Sequence, residues 1–154
     1  GKLAEFIEKK DNSSATIGNI IDHNGKIVGS HTGLHNFTVG QRGGLGVALG
    51  ERMYVKRLDK KKNNVEIAPR PGVMNNFCKV KDIHWINDKS KNNKLRCFVK
   101  PRYRSKGSLA TIDIHKNNGK ITFDESQFAL APGQAAVFYN NDEVLGGGWI
   151  SSDN

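Results

Sequence analysis

Between Lys79 and Ile150 the chain is cut into short runs: Lys79 to Ile86, Lys94 to Tyr103, Leu109 to His115, Lys120 to Asp124, Ala135 to Tyr139 and Glu143 to Ile150. Turn-forming clusters separate them, Asn117-Asn118-Gly119 and Asn140-Asn141-Asp142 among them, and no segment between carries a helical period. Six strands at this spacing predict a small antiparallel β-barrel or sandwich. A helical or α/β architecture is excluded for this half.

The first half reads differently. Leu3, Phe6 and Ile7 share one face of a short helix at residues 1–10, and a chain that opens inside a helix suggests a piece of something longer. Ile17 to Ile21 and Ile27 to Val28 flank His23-Asn24-Gly25, where Asn-Gly supplies the positive backbone angles of a tight hairpin. Met53 to Leu58 and Val65 to Ala68 form a second hairpin across Asp59 to Asn64, with three lysines at its tip. Pro69-Arg70-Pro71-Gly72 is the strongest breaker in the chain and places a boundary just after it. The expectation is a mainly β protein with a short N-terminal helix over 1–12, a small β-rich central domain over 13–75 and a six-stranded antiparallel barrel over 76–154.

Charge narrows the function. The net charge is +9, yet residues 79–106 hold ten Lys or Arg against two Asp, while residues 107–154 hold two against six. A local basic patch is the footprint of a polyanionic partner. Alternation along the strand at 94–106 sends Lys94, Arg96, Lys100, Arg102, Arg104 and Lys106 to one side with Phe98 among them. Leu95, Cys97, Val99, Pro101 and Tyr103 fall on the other. A solvated edge strand is the ordinary explanation, but arginines interleaved with an aromatic ring suit phosphate contact plus base or ribose stacking.

The cysteines, Cys78 and Cys97, lack any metal-ligand spacing and read as buried thiols in a reducing compartment. No signal peptide or membrane-length apolar run is visible.

Residues 31–46, His-Thr-Gly-Leu-His-Asn-Phe-Thr-Val-Gly-Gln-Arg-Gly-Gly-Leu-Gly, read as a strand feeding a glycine-rich loop. A nucleotide loop needs G-x-G-x-x-G or a closing Gly-Lys-Ser/Thr, and neither is present. His31 and His35 would share a helix face as metal ligands, but Gly33 disfavours the helix and no third ligand is near. A tight turn packed on a neighbouring element, with Arg42 in solvent, is the plain alternative. Near the C-terminus, Gln134 beside Pro132-Gly133 is placed to meet a nucleotide, and Gly146-Gly147-Gly148 marks a bulge or close backbone approach.

The series from His31 to Gly46 resembles the signature H-x-G-L-x-x-[FY]-T-[IV]-G-Q-R-x-G-L-G of the tRNA 2-thiouridylases, which thiolate the wobble uridine at position 34. His84-Trp85, Arg102-Tyr103-Arg104, Ala131 to Tyr139 and Leu145 to Gly148 resemble later segments of that family in the same order, without a major gap from about Thr16 to Ile150. Gly43 departs from the pattern, standing where the family usually carries lysine.

The resemblance implies an N-terminal ATP-pyrophosphatase domain elsewhere in the protein, with this chain matching the central domain and the C-terminal β-barrel. It implies that ATP and magnesium serve the full-length enzyme and that none is held by this stretch. ATP would adenylate the uridine C2 oxygen, and a cysteine persulfide would deliver sulfur from a sulfur-relay protein or a cysteine desulfurase. Neither Cys78 nor Cys97 falls at a catalytic position of the family, so no catalytic residue is expected here. Arg102, Tyr103 and Gln134 match family positions that touch tRNA. With Arg104 and Lys100 from the basic strand, and Gln41 and Arg42 from the glycine-rich stretch, they form the expected tRNA-binding set.

The implied partners are tRNA and the protein's own catalytic domain, with no membrane, in the cytoplasm. An older family label as a methyltransferase finds no methyl-donor loop here. Two other readings compete: a stand-alone RNA-binding β-barrel of the translation-factor type, and a docking module whose basic strand is only a solvated edge.

Overall fold

The computed structural model describes residues 16–47, 49–86, 93–102 and 105–152. The helix expected at residues 1–10 lies outside them. The described chain is mainly β and divides into two compact units, one up to Val73 and one from Met74.

The first unit is a four-stranded sheet built from β1 (Gly18–Ile21), β2 (Ile27–His31), β3 (Tyr54–Asp59) and β4 (Asn64–Ala68). The order is β2-β1-β4-β3, with β1 parallel to β4 and the other pairs antiparallel. Alternation puts Ile20, Val55, Val65 and Ile67 on one face, where they bury together with Leu34, Leu45 and Met53. The β1–β2 turn departs from a two-residue Asn-Gly hairpin. The Asp22 carboxylate accepts from the backbone N–H groups of Asn24 and Lys26, both at 2.9 Å, and only Gly25 takes a positive φ, at 82°. That is a longer loop closed by an Asx turn.

A one-turn 3-10 helix at Arg70–Val73, with Gly72 N–H donating to the Pro69 carbonyl at 2.9 Å, leads into the second unit. Its strands are β5 (Met74–Trp85), β6 (Lys94–Lys100), β7 (Ser108–His115), β8 (Asn118–Phe128), β9 (Ala135–Asn140) and β10 (Glu143–Ser151). They close into a barrel in the order β10-β5-β8-β7-β6-β9, every pair antiparallel. Val80, Val99, Ile112, Ile121, Phe123 and Phe138 point inward and fill it.

Several boundaries differ from the sequence expectation, β8 among them, which runs from Asn118 to Phe128 and not only from Lys120 to Asp124. β6 stops at Lys100, because Pro101 has no N–H for the ladder and the Arg102 carbonyl instead accepts from Ser105 N–H at 3.1 Å. The Lys94–Tyr103 strand, and the single face running to Lys106, therefore end early. β5 begins earlier, with Met74 and Asn75 paired to Phe128 and Gln127 across a bulge whose polar residues hid the strand. The β7–β8 turn lies on Lys116 and Asn117, not on Asn117-Asn118-Gly119, since His115 pairs with Asn118.

The triple glycine is explained by close approach. A Cβ on Gly146 would sit 2.4 Å from the His84 carbonyl oxygen, and one on Gly147 2.7 Å from that of Ala136. β10 is thus squeezed between β5 and β9, with register shifts against both.

Candidate nucleic-acid interface

Along β6 the burial alternates as charge and apolar type require: Lys94, Arg96 and Phe98 are exposed, while Cys97 and Val99 are buried. The basic row is not uniform. Arg96 reaches across β7 to β8, donating from Nη1 to Thr111 Oγ1 at 3.2 Å and to Asp124 Oδ1 at 2.8 Å, and from Nη2 to Asp124 Oδ2. Hydrogen bonding to Arg96 holds the Asp124 carboxyl below the usual carboxylate range, while the same bond raises the Arg96 pKa. Lys94 pairs with Asp113 at 3.6 Å. The first half of the row is neutralised by the neighbouring strands.

Beyond Phe98 the cations meet rings instead of acids. The Lys100 ammonium lies 5.0 Å from the Tyr139 ring centroid and the Arg102 guanidinium 5.5 Å from that of Phe128. Both contacts are cation–π in geometry and leave the charge available to an anion. Register places these groups together: Lys100 is opposite Val137, so the antiparallel pair runs out towards Arg102 on one strand and Gln134 on the other. Gln134 is exposed, and its backbone is fixed, with its N–H donating to the Ala131 carbonyl at 3.2 Å and its carbonyl accepting from Ile150 N–H at 2.8 Å. Lys100, Arg102 and Gln134 thus share one end of the barrel, with Lys106 exposed after the turn that follows Arg102. Tyr103 and Arg104 lie outside the described residues.

The glycine-rich stretch uses its polar atoms within the fold. Its apolar run Phe37–Val39 is not a strand; a 3-10 turn at Leu34–Asn36 precedes it, and Leu34 and Leu45 enter the core with Phe37 packed against them. His31 ends β2, buried, donating from Nε2 to the Asn63 carbonyl at 2.8 Å and accepting from Gly33 N–H at Nδ1, 3.1 Å. That pattern fixes the neutral Nε2–H tautomer and ties β2 to the β3–β4 turn. Gly18 lies directly against this bond, since a Cβ there would meet the Asn63 oxygen at 2.0 Å. His35 sits on the 3-10 turn, so the two histidines share no helix face.

Gln41 closes the next turn. Its Oε1 accepts from Thr38 N–H at 3.0 Å and its Nε2 donates to the Gly43 carbonyl at 2.8 Å. Its carbonyl and the Gly40 N–H bond to Val55 on the edge strand β3 at 2.9 and 2.8 Å. Arg42 is exposed and lines an open pocket of about 400 Å³ with Arg52, Glu51 and Leu45. Arg52 is a neighbour that no motif pointed to.

Burial pushes the Cys97 thiol up to about 11, so it is not poised as a nucleophile, and Cys78 is likewise buried. Among the described residues no three His, Cys, Asp or Glu side chains converge to hold a metal ion, and no helix is long and apolar enough to cross a membrane.

The comparisons with known proteins agree with this architecture. Residues 4–69 match the tRNA methyl transferase PRC-barrel domain and residues 75–150 the aminomethyltransferase beta-barrel domain. The chain is 40% identical over 151 residues to a tRNA-specific 2-thiouridylase MnmA of Synechocystis, covering 97% of this chain and 42% of the relative. Identity is 40% with that of Desulfotalea psychrophila and 42% with that of Trichormus variabilis, over 96% and 97% of this chain but 43% and 42% of those proteins. The chain therefore spans about two fifths of the length of the curated relatives it matches. Over that stretch, made of the PRC-barrel and β-barrel domains, the chain belongs to the tRNA-specific 2-thiouridylase family.

Proposed function

We propose that this chain is the tRNA-engaging part of a 2-thiouridylase, a sulfurtransferase that makes 2-thiouridine at the wobble position of tRNA in the cytoplasm. One observation carries the proposal: Lys100, Arg102 and Gln134 are gathered at one end of the barrel, while Lys94 and Arg96 are neutralised. Cations stacked on rings hold their geometry and keep their charge for phosphate. Gln134, offering a donor and an acceptor, suits a base edge or ribose. Gln41 and Arg42 would serve the same tRNA from the first unit, Gln41 by shaping the turn that presents Arg42.

In this reading the thiolation chemistry belongs to residues outside this chain. ATP and magnesium would activate the uridine C2 oxygen there, and a persulfide supplied by a relay protein or cysteine desulfurase would replace it. Cys97, buried and protonated, takes no part.

The test is anisotropy of a labelled tRNA bearing a wobble uridine, titrated with the chain at two salt concentrations. Affinity should fall steeply with salt as released counterions oppose binding. The Arg102→Ala, Lys106→Ala double variant should weaken binding by about 1 kcal/mol or more and flatten the salt slope. Salt-independent binding, or ATP hydrolysis by this chain alone, would contradict the reading.

A further inference from the structure

Three of the five large apolar side chains exposed in the described barrel, Phe98, Leu109 and Val144, lie on one outer face. They are in register across four neighbouring strands: Leu109 on β7 is opposite Phe98 on β6, Phe98 opposite Tyr139 on β9, and Tyr139 opposite Val144 on β10. Phe98 is 45% exposed at the middle of this belt, although β6 has paired neighbours on both sides and could carry any polar residue there. An apolar belt rimmed by charge marks an interaction site.

The surroundings say what occupies it. The acidic groups nearest β6 on the β7 and β8 side, Asp113 and Asp124, are engaged by Lys94 and Arg96. On the other side Lys100 ends the strand with its ammonium against the Tyr139 ring, and Arg102, just beyond it, lies against the ring of Phe128. Two aromatic faces with adjoining cations fit a base and its phosphate, whereas an apolar protein partner would bury the Lys100 charge against hydrocarbon.

We infer that the Leu109–Phe98–Tyr139–Val144 belt is a stacking platform on which an unpaired RNA base lies against Phe98, with its phosphate held by Lys100. This rests on the RNA-binding reading and extends it from backbone contact to capture of a base. Stacking is tolerant of sequence, so the platform would select unpaired over paired nucleotides rather than one base over another.

The experiment measures anisotropy of the labelled tRNA and of a short labelled single-stranded RNA, each over a range of salt, with wild type, Phe98→Leu, Phe98→Tyr and Lys100→Ala. Phe98→Leu keeps an apolar side chain on the surface and removes the ring; Phe98→Tyr keeps the ring. Phe98→Leu should weaken binding of both RNAs about fivefold or more with the salt slope unchanged, and Phe98→Tyr should bind within about twofold of wild type. Lys100→Ala should lower the salt slope by about one. Equal binding by Phe98→Leu and wild type overturns the platform and leaves the tRNA reading standing. Ring-dependent binding of the single-stranded RNA without tRNA binding upholds the platform and removes the tRNA reading. No binding of either RNA overturns both.

Discussion

In the glycine-rich stretch, His31 and Gln41 direct their side-chain polar atoms at backbone groups of their own unit. Along β6 and just after it, Lys100 and Arg102 direct theirs across aromatic rings towards solvent. Both regions carry residue types suited to a ligand, and the first is the more distinctive as a motif. What separates them is where the hydrogen-bonding capacity goes: a group already satisfied within the fold has little left for a partner. The glycine-rich stretch is then a device for holding Leu34, Phe37 and Leu45 on the four-stranded sheet, and Arg42 is its exposed product.

The largest expected effect tests that contrast from the structural side. Gly18→Ala would force a methyl group into the His31–Asn63 bond and should destabilise the first unit by up to about 3 kcal/mol, the upper end of the usual cost of overpacking. Hydrogen exchange should show β1, β2 and β4 losing protection. An unchanged exchange pattern would mean that His31 does not lock this unit.

A smaller loss is expected at Gln41. Gln41→Ala removes two hydrogen bonds to partly exposed backbone groups and should cost about 1 kcal/mol of stability. If Gln41 acts only by shaping the turn, Gln41→Ala should change RNA affinity no more than its stability loss accounts for, whereas Arg42→Ala should lower the salt slope. A Gln41→Ala loss of RNA affinity with stability intact would erase the distinction between the two regions.

The antiparallel barrel was legible in the sequence because its strands are short, largely alternating and separated by turn formers. Strand ends were less so: Asn75 and Asn76 look like turn residues and lie in a bulged strand, and Pro101 ended a strand whose charge pattern ran on. Within the basic row, all that alternation could establish was the face. It could not show that Asp124, two strands away, would cancel Arg96, because pairing register is a property of the closed barrel rather than of any one segment. Nor could it show Phe128 beneath Arg102. Inward use of His31 and Gln41 was hidden for a similar reason, since their partners include Asn63 and short-range backbone groups whose positions depend on the finished turns.

The smallest expected effect follows from that cancellation. Because Asp124 titrates below the ordinary carboxylate range in the folded barrel, its pairing with Arg96 stabilises the fold above the unfolded carboxyl pKa. That contribution disappears as pH falls through the lowered folded value. The thermal midpoint of wild type should therefore decline with acidification more than that of Asp124→Asn, a modest difference because both groups are exposed. The same substitution should act oppositely on RNA binding. With its acid removed, Arg96 gains freedom to meet phosphate, so Asp124→Asn should bind RNA somewhat more tightly at low salt and with a steeper salt slope. Arg96→Ala in the wild-type background should leave the slope nearly unchanged, since it removes a charge already neutralised. If Arg96→Ala instead flattens the slope as much as Arg102→Ala does, the two halves of the row are equivalent, and the interface extends along the whole of β6.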